Sequence, residues 1–475
     1  MMPCGELLIG VVFGAALCSA AWAAEGPAKD LVANGDFSAE GPGGVPAAWT
    51  AWTPLWEKAA CTVRRVEGGL RVEAPQGEPY AVGGAWQNLA GIKGGQAYAV
   101  RAEAKVRDVH RPYAAIMVRL TWTRGGKLLH PAGMYARLKD IAGSLRTSDP
   151  PGDPPPVIHP DDVLFEDVLV APAEADGARL SLEVKWPHGG SVLWKRVGVR
   201  PTDPPLPRKV KVGTVYLRPK NSTPEKNMDL WCAQIDAAGK LGLDIVCLGE
   251  SILTVGTPKT VVDVAEPIPG PSTEKLGAAA RRNKLWVVAG LTEREGDRLY
   301  NTAVLLDREG RLAGKYRKVH LPREEWQKGI TPGREYPVFR TDFGTIAIQI
   351  CYDWFFPETA EIFALNGAEI LFAPTWGTTF PDVDGRAEGE TVFRVRARDN
   401  GIYMVPSVYD GSSMVIDPLG RILVSNKGAE GVFWAEVDLS VREALWWVGH
   451  WRSIGPRDRM PDTYRPLLAD PAKPD

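Results

Sequence analysis

The sequence divides at a proline-rich segment, residues 201–208, which reads Pro-Thr-Asp-Pro-Pro-Leu-Pro-Arg. These prolines predict a stiff, extended linker. Before it, over residues 30–200, short strand patterns alternate with turns rich in glycine, proline and aspartate, which predicts an all-β sandwich. After it, over residues 209–450, strand and helix patterns alternate, which predicts an α/β domain and leaves 451–475 as a C-terminal tail. A chain of 475 residues is too long for one typical domain, so two folded units are expected.

The N-terminal residues 1–23 have the pattern of a secretory signal peptide. An apolar run, Leu7–Ala16, is followed by the small residues Ala21 and Ala23 at the positions that signal peptidase recognises. The run is too short to span a bilayer, which argues against an uncleaved membrane anchor. Cys18 follows a leucine, where a lipoprotein signal usually has a small residue. We therefore expect export, to the periplasm or the extracellular space.

Charge and cysteine content exclude several classes of function. The formal net charge is −2 and no long run of like charge occurs, so neither nucleic acid nor an anionic membrane surface is expected as a partner. Beyond the signal segment, Cys61, Cys232, Cys247 and Cys351 form no CxxC motif and no cluster with histidine. We expect neither a metal site nor a disulfide scaffold, although a Cys232–Cys247 bridge stays open in an exported protein. Small molecules or carbohydrate are the expected partners.

A strand pattern leads directly into Cys351. Ile346, Ile348 and Ile350 alternate along it, which predicts a strand with one buried face, and a helix pattern follows. Ligands collect at the C-terminal ends of strands in α/β proteins, and a helix N-terminus there can lower a thiol pKa. Glu250 and Lys318 also end apolar segments. A carboxylate, an ammonium and a thiol together can act as base, anion stabiliser and nucleophile, whereas each one alone is more simply a solvated charge or a packing thiol.

A series of motifs strengthens the catalytic interpretation. They are the segments 314–322 around Lys318, 331–333 (Thr-Pro-Gly), 337–344, 345–353 around Cys351, 366–371, 396–400 and 417–420 (Asp-Pro-Leu-Gly). In this order they resemble the nitrilase superfamily of carbon-nitrogen hydrolases, over about residues 208–440. The resemblance implies a four-layer αββα sandwich and a Glu-Lys-Cys triad without a cofactor. It also implies homo-oligomers and action on non-peptide amide, carbamoyl or nitrile bonds.

The resemblance assigns a role to each matching position. Glu250 would be the general base, Lys318 the cation that stabilises the oxyanion, and Cys351 the nucleophile that forms a thioester. The backbone N–H of Tyr352 would help to hold the oxyanion. A second glutamate of the family matches Glu325, with the adjacent Glu324 as the alternative.

Pocket walls and departures from the family pattern follow from the same resemblance. Tyr352 and Trp376 are candidates for the pocket wall, as are Trp446 and Trp447 near the C-terminus, which alternatively pack at an oligomer interface. Gly249 stands where a proline often precedes the base, and Asp399 replaces a common glutamate in the 396–400 motif.

The all-β segment carries a second, shorter resemblance. Residues 31–38 and 46–49 are similar to the first strand and turn of galactose-binding-like jelly-roll modules, which implies a glycan as a candidate partner of this domain. Exposed tryptophans would form stacking platforms for sugars. The simpler interpretation is that Trp49, Trp86, Trp122 and Trp186 fill the sandwich, because each buries a large apolar area.

Together the patterns predict an exported hydrolase that cleaves a non-peptide amide or N-carbamoyl bond through a cysteine thioester. Three alternatives stay open at this point. The same triad can hydrolyse a nitrile, or it can transfer an acyl group to an amine. A catalytically silent carbohydrate-binding protein is the third, and the intact triad argues against it.

Overall fold

The computed structural model describes residues 29–129, 162–377 and 388–441, together with 134–135, 138–141, 444–445, 449–450, 455 and 457–468. The predicted signal peptide 1–23 and the candidate wall residues Trp446 and Trp447 lie outside them. The chain separates into two compact units, and the first includes residues up to 205 and also residues from 444 onwards. The second unit runs from 206 to 443. The predicted α/β domain ended at 450, so this division differs from the prediction at its C-terminal boundary.

The first unit is an antiparallel sandwich of two sheets. Its elements are Pro42–Gly44 (3₁₀), β1 (Thr50–Trp52), Glu57–Ala59 (3₁₀), β2 (Thr62–Val66), β3 (Gly69–Glu73), β4 (Val82–Ala90), β5 (Ala97–Arg107), α1 (Pro112–Ala115), β6 (Ile116–Arg124), β7 (Lys127–Leu128), β8 (Met134–Tyr135), β9 (Leu138–Ile141), β10 (Asp162–Val170), β11 (Gly177–Lys185) and β12 (Ser191–Thr202). One sheet has the order β1-β4-β11-β6-β7, with β8 paired to β6, and the other has the order β2-β3-β12-β5-β10-β9.

Alternating side chains build the core of this sandwich. On β11, Leu180, Leu182 and Val184 point into a core that also contains Trp194 and Phe165 from the opposite sheet. The intervening residues of β11 point away from it, as expected for a strand with one buried face. The all-β architecture is therefore as predicted, whereas the galactose-binding-like identity of the module stays a prediction.

The four tryptophans proposed to fill the sandwich have different environments. Trp49 and Trp122 are buried, at 6% and 5% exposure. Trp86 is partly buried, and the Arg179 guanidinium lies 4.1 Å from its ring centre. Trp186 is 39% exposed. Neither Trp86 nor Trp186 belongs to the sandwich core, so the core interpretation is wrong for these two residues.

The second unit has two six-stranded sheets. Its elements are β13 (Lys209–Tyr216), α2 (Pro224–Lys240), β14 (Ile245–Cys247), α3 (Pro271–Asn283), β15 (Trp286–Glu295), β16 (Arg298–Leu306), β17 (Leu312–Arg317), α4 (Arg323–Trp326), β18 (Val338–Arg340), β19 (Thr345–Ile348), Cys351–Phe355 (3₁₀), α5 (Pro357–Leu365), β20 (Ile370–Gly377), α6 (Glu388–Asn400), β21 (Tyr403–Asp410), β22 (Met414–Ile416), β23 (Ile422–Ser425) and β24 (Gly431–Asp438). The sheet orders are β17-β16-β15-β14-β13-β24 and β18-β19-β20-β21-β22-β23.

The core residues place these elements in four layers. On β14, Ile245 and Cys247 join the core shared with the second sheet, while Val246 packs in the cluster formed with α2 and α3. On the other side, Phe363 of α5 and Phe393 of α6 pack against the second sheet. The arrangement is αββα, as the sequence predicted.

Two hairpins in this unit use the same turn. In β16–β17 the carboxylate of Asp307 accepts hydrogen bonds from the backbone N–H and the guanidinium of Arg311. In β22–β23, Asp417 does the same with Arg421. The Asp-Pro-Leu-Gly motif is therefore the turn of the β22–β23 hairpin.

The remaining described elements are short and lie near the C-terminus, within the first unit. They are β25 (Ala444–Leu445), β26 (Gly449–His450) and two 3₁₀ turns, Pro461–Thr463 and Arg465–Leu468. Among the described residues, no helix has the length and apolar character needed to cross a membrane. The four cysteines Cys61, Cys232, Cys247 and Cys351 are free thiols.

Candidate active site

Three strand ends of the α/β unit converge on a buried ion cluster. Glu250 follows β14, Lys318 follows β17, and Cys351 opens the 3₁₀ turn after β19. Lys318 and Glu250 are 1% and 2% exposed, and the Lys318 Nζ donates to Glu250 Oε1 at 3.1 Å. The structure therefore brings the predicted base and the predicted cation into direct contact.

Glu325, rather than Glu324, completes the cluster. Glu325 lies on the short helix α4, and its Oε1 accepts from Lys318 Nζ at 2.7 Å. Glu324, on the same helix, is exposed. The geometry thus favours Glu325 as the second glutamate.

The charges in this cluster shift the pKa values of its members. Burial opposes the charged form of Lys318, but the carboxylates of Glu250 and Glu325 outweigh it and raise the lysine pKa. Burial raises the pKa of Glu325, and the nearby charge of Glu250 adds to this, while Lys318 opposes it. The lysine is therefore a permanent cation at neutral pH, and Glu325 holds a proton more readily than a solvated glutamate.

Asn301 is a site residue that the motifs did not identify. It lies on β16, and its Nδ2 donates to Glu250 Oε1 at 2.8 Å and to Glu325 Oε1 at 3.0 Å. Both glutamates keep their other oxygen, Oε2, buried and without a hydrogen-bond partner in the described part of the chain. Asn301 and Lys318 thus hold one oxygen of each carboxylate and leave the other oxygen available for chemistry. The available sequence signal was an asparagine at the polar beginning of a strand whose second half is apolar.

Cys351 has an unusual backbone conformation. Its φ is +40°, in the left-handed region that residues with a side chain seldom adopt. Such strained residues concentrate at functional sites, where the surrounding structure holds them in place. Here the strained residue joins β19 to the 3₁₀ turn and carries the thiol next to the cluster.

The thiol of Cys351 is not a preformed thiolate. Burial and the Glu250 carboxylate raise its pKa to about 12, although Lys318 opposes the shift. The shift is opposite in direction to the lowering that a helix N-terminus can produce in a thiol pKa. The helix α5 begins six residues later, and burial of the thiol, with the Glu250 carboxylate beside it, raises the pKa. A thiol of this kind needs a base beside it to become a nucleophile.

Asp353 anchors the turn that carries Cys351, and the motifs did not assign it a role. It is fully buried, and its carboxylate accepts from Tyr316 Oη at 2.8 Å and from Ile350 N at 3.0 Å. It also accepts from the backbone N–H of His320 at 3.0 Å and lies 2.9 Å from His320 Nδ1. One carboxylate thus ties the turn that carries Cys351 to the segment that carries Lys318.

Tyr409 explains the departure at Gly249. Its Oη donates to the backbone carbonyl of Glu250 at 2.7 Å. A Cβ on Gly249 would lie 2.2 Å from this Tyr409 Oη. The tyrosine therefore occupies the space that any side chain at position 249 would need. The ring of Trp376 meets Tyr409 edge to face, with 5.3 Å between ring centres.

Tyr352 and Trp376 are the two predicted pocket residues within the described part of the chain. Tyr352 follows Cys351 directly in the sequence, and the backbone of Trp376 lies beside its thiol. Tyr352 is partly buried in the 3₁₀ turn, with its ring 5.4 Å from that of Phe356. Trp376, at the end of β20, is 41% exposed, and its backbone is hydrogen-bonded to the Cys351 thiol. Their role as walls of a substrate pocket stays a prediction.

The assembled groups supply base, cation and nucleophile within one buried site. The Glu250 carboxylate can accept the thiol proton, and the Lys318 ammonium can stabilise an anion on an attacked carbonyl. No group of three metal-binding side chains occurs among the described residues. This arrangement suits acyl transfer through a thiol.

The α/β unit is similar to known proteins. Residues 211–445 match the family model described as carbon-nitrogen hydrolase. The chain is 31% identical to the omega-amidase NIT2 of Mus musculus over 238 residues, 46% of this chain and 85% of that protein. It is 33% identical to a nitrilase of Pyrococcus abyssi over 245 residues, 48% of this chain and 90% of that protein. Among solved structures, Nit3 of Saccharomyces cerevisiae is 27% identical, with a TM-score of 0.43 over 48% of this chain and 90% of that one.

Proposed function

Because the chain belongs to the carbon-nitrogen hydrolase family of the nitrilase superfamily, we propose that it cleaves a non-peptide amide or N-carbamoyl bond through a thioester on Cys351. The observation that supports this proposal is the position of Lys318. Its ammonium bridges the two carboxylates of Glu250 and Glu325 beside the thiol. A buried cation held in this way is available for a developing oxyanion without further reorganisation.

The first step is attack on the substrate carbonyl. Glu250 takes the thiol proton as the Sγ–C bond forms, and the carbonyl π electrons move to oxygen. The Lys318 ammonium and the Tyr352 backbone N–H stabilise that oxyanion. Because the thiol pKa is about 12, proton removal by Glu250 has to accompany the attack.

The second step expels the nitrogen. Glu250 returns its proton to the leaving nitrogen, the C–N bond breaks, and ammonia or an amine departs from the thioester. The free Oε2 of Glu325 accepts a hydrogen bond from the substrate nitrogen and so orients it. Water then attacks the thioester, gives its proton to Glu250, and releases the acid while the thiol is restored.

Ammonia release tests this function. The protein is incubated with three panels: primary amides, N-carbamoyl amino acids and nitriles. We expect ammonia from a member of the first or second panel, and none from the Cys351→Ala variant. Cys232→Ala is the matched control, because Cys232 is a free thiol on α2, and it should keep full activity. Turnover by Cys351→Ala would rule out the proposed nucleophile.

Nitrile hydrolysis is the second candidate, and the similarity to the Pyrococcus abyssi nitrilase favours it. The Cys351 sulfur would then add to the nitrile carbon while Glu250 takes the thiol proton and passes it to the nitrile nitrogen, which gives a thioimidate. Water adds to the thioimidate, and loss of ammonia leaves the thioester. Ammonia from the nitrile panel but not from the amide panel would favour this route. Acyl transfer is distinguished by adding hydroxylamine: a transferase forms hydroxamate much faster than acid.

Three further properties are proposed for the whole protein. We propose that it is exported after cleavage near residue 23, which N-terminal sequencing of the protein from culture fluid or periplasm would check. We propose a homo-oligomer, which light scattering coupled to size-exclusion chromatography would measure. We also propose that the sandwich domain binds a glycan.

A further inference from the structure

A small cavity lies on the outer face of the sandwich sheet that contains β4, β11 and β6. Its volume is about 290 Å³, and its lining includes Trp52, Met117, Glu183, Lys185, Arg457 and Asp458. All six belong to the first unit. The cavity is at the lower end of the range for small-molecule sites, so it fits one ring rather than an extended ligand.

Glu183 is the central polar group of this cavity. In the β11 register it lies between Gly84 of β4 and Met117 of β6, on the face opposite the core. Burial raises its pKa, while the charges of Arg119, Arg457 and Lys185 oppose that shift. No hydrogen bond or ion pair of its carboxylate is found within the described part of the chain. A carboxylate removed from water with unmet acceptor capacity favours a ligand that donates hydrogen bonds.

The other charged groups of the lining compensate one another. Lys185 and Arg457 are 22% and 8% exposed, and both pair with Asp458, Arg457 at 2.9 Å. With Glu183, the lining therefore carries two carboxylates and two cations. A balanced set of donors and acceptors favours a neutral ligand that both donates and accepts, and hydroxyl groups do both.

An aromatic ring supplies an apolar wall. A Cβ on Gly84 would lie 2.9 Å from Trp52 Nε1, so the missing side chain allows the indole to lie against the sheet. Two exposed rings lie in the adjoining loops: Tyr80 is 56% exposed and stands edge to face with Trp186, 6.3 Å between ring centres. Trp186 follows Lys185 directly and has a φ of +53°, a strained conformation for a tryptophan.

We propose that this cavity binds one neutral sugar ring, whose hydroxyls donate to Glu183 and accept from Lys185 and Arg457 while its apolar face packs on Trp52. The inference rests on the proposed glycan binding by the sandwich and gives it a site. It is independent of the hydrolase chemistry at Cys351.

Titration calorimetry on the full-length protein tests the site. The probes are glucose, galactose, mannose, xylose and N-acetylglucosamine, with glycine as a zwitterionic comparison. We expect saturable binding of at least one sugar with a Kd of about 1 mM, typical of a few hydrogen bonds and one ring contact. Glu183→Gln and Trp52→Leu should each weaken it about tenfold or more. Trp56→Ala is the control, because Trp56 is 67% exposed and outside the lining, and it should bind like wild type.

Each outcome supports or removes the inference. Lack of binding to all five sugars, or unchanged binding by both Glu183→Gln and Trp52→Leu, would overturn it. Binding of glycine alone would replace the sugar with a zwitterion and would also overturn it. Ammonia release is measured on the same samples as proof of folding. Turnover without sugar binding would remove only this inference, and sugar binding without turnover would remove only the hydrolase proposal.

Discussion

Replacing Asn301 with alanine tests whether this residue positions the two glutamates for catalysis, because the expected effect on the rate differs from the expected effect on the stability of the fold. The Asn301 amide donates to one oxygen of Glu250 and one of Glu325, at 2.8 and 3.0 Å. A hydrogen bond to a charged group contributes about 1.5–3 kcal/mol. If the transition state needs both carboxylates in these positions, loss of one such contribution lowers kcat roughly 10- to 150-fold.

The effect on stability should be smaller than the effect on rate. The Oδ1 of Asn301 is itself buried and has no hydrogen-bond partner among the described residues, and an unsatisfied buried acceptor costs about 1–3 kcal/mol. Removing this unsatisfied acceptor offsets most of the free energy lost with the hydrogen bonds that the Asn301 amide donates. We therefore expect the free energy of unfolding to fall by no more than about 1–2 kcal/mol. Urea unfolding and steady-state kinetics on the same samples measure the two effects.

The pH profile supplies a third readout for Asn301→Ala. The Asn301 amide lowers the pKa of Glu325 by hydrogen bonding to its charged form, so its removal raises that pKa. The acid limb of kcat/KM should therefore move to higher pH, because Glu325 acts as an ionised acceptor. Asn283→Ala is the matched control, since Asn283 also donates two hydrogen bonds, to Asp236 and Ala279, but lies on α3. Equal kcat in both variants, or an unmoved acid limb in Asn301→Ala, would refute the reasoning.

Three further substitutions test other contacts of the site. Lys318→Met leaves two buried carboxylates without their cation and should lower the free energy of unfolding by about 3–5 kcal/mol near neutral pH. Urea unfolding should show that this loss of stability shrinks as the pH falls, because Glu325, with its raised pKa, takes up a proton. A loss that is constant with pH would contradict it. Gly249→Ala forces Tyr409 away from Glu250 and should cost about 1–3 kcal/mol in a thermal melt and lower kcat; wild-type values for both would exclude the steric account. Asp353→Asn puts an amide where the carboxylate accepts from buried donors and should lower the free energy of unfolding by more than about 2 kcal/mol; an unchanged urea midpoint would contradict the anchoring role.

The sequence predicted the layers of the fold because hydrophobic periodicity reports directly on burial. The alternation of Ile346, Ile348 and Ile350 marks β19 and the chain that continues from it. The prediction of a single buried face is wrong, however, because Ala347 and Gln349 are also buried in a strand that is covered on both faces. The proline-rich segment also lies close to the division between the units, at residue 205. The C-terminal boundary was not predictable in this way, because residues after 443 join the first unit through contacts distant in sequence, such as Lys185 with Asp458.

Within the site, the sequence indicated the residues whose motifs are local. Lys318 and Cys351 lie in long motifs, whereas Asn301 and Tyr409 lie on strands outside those motifs and reach the site only through the fold. The direction of the thiol pKa shift could not be predicted from the sequence, because the sequence shows the helix after Cys351 but neither the burial of the thiol nor the distance between Cys351 and Glu250. The choice of Glu325 over Glu324 likewise depended on which face of α4 is buried, and four residues are too few to show a periodic pattern.

The central claim is a covalent thioester on Cys351, and peptide mass spectrometry tests it most directly. Protein turning over an amide that releases ammonia is quenched in acid, which preserves thioesters, and is then digested. The account predicts a mass increase equal to the acyl group, located on the peptide that contains Cys351 and absent from Cys351→Ala. An acyl group on another residue, or turnover by Cys351→Ala with no adduct, would contradict it.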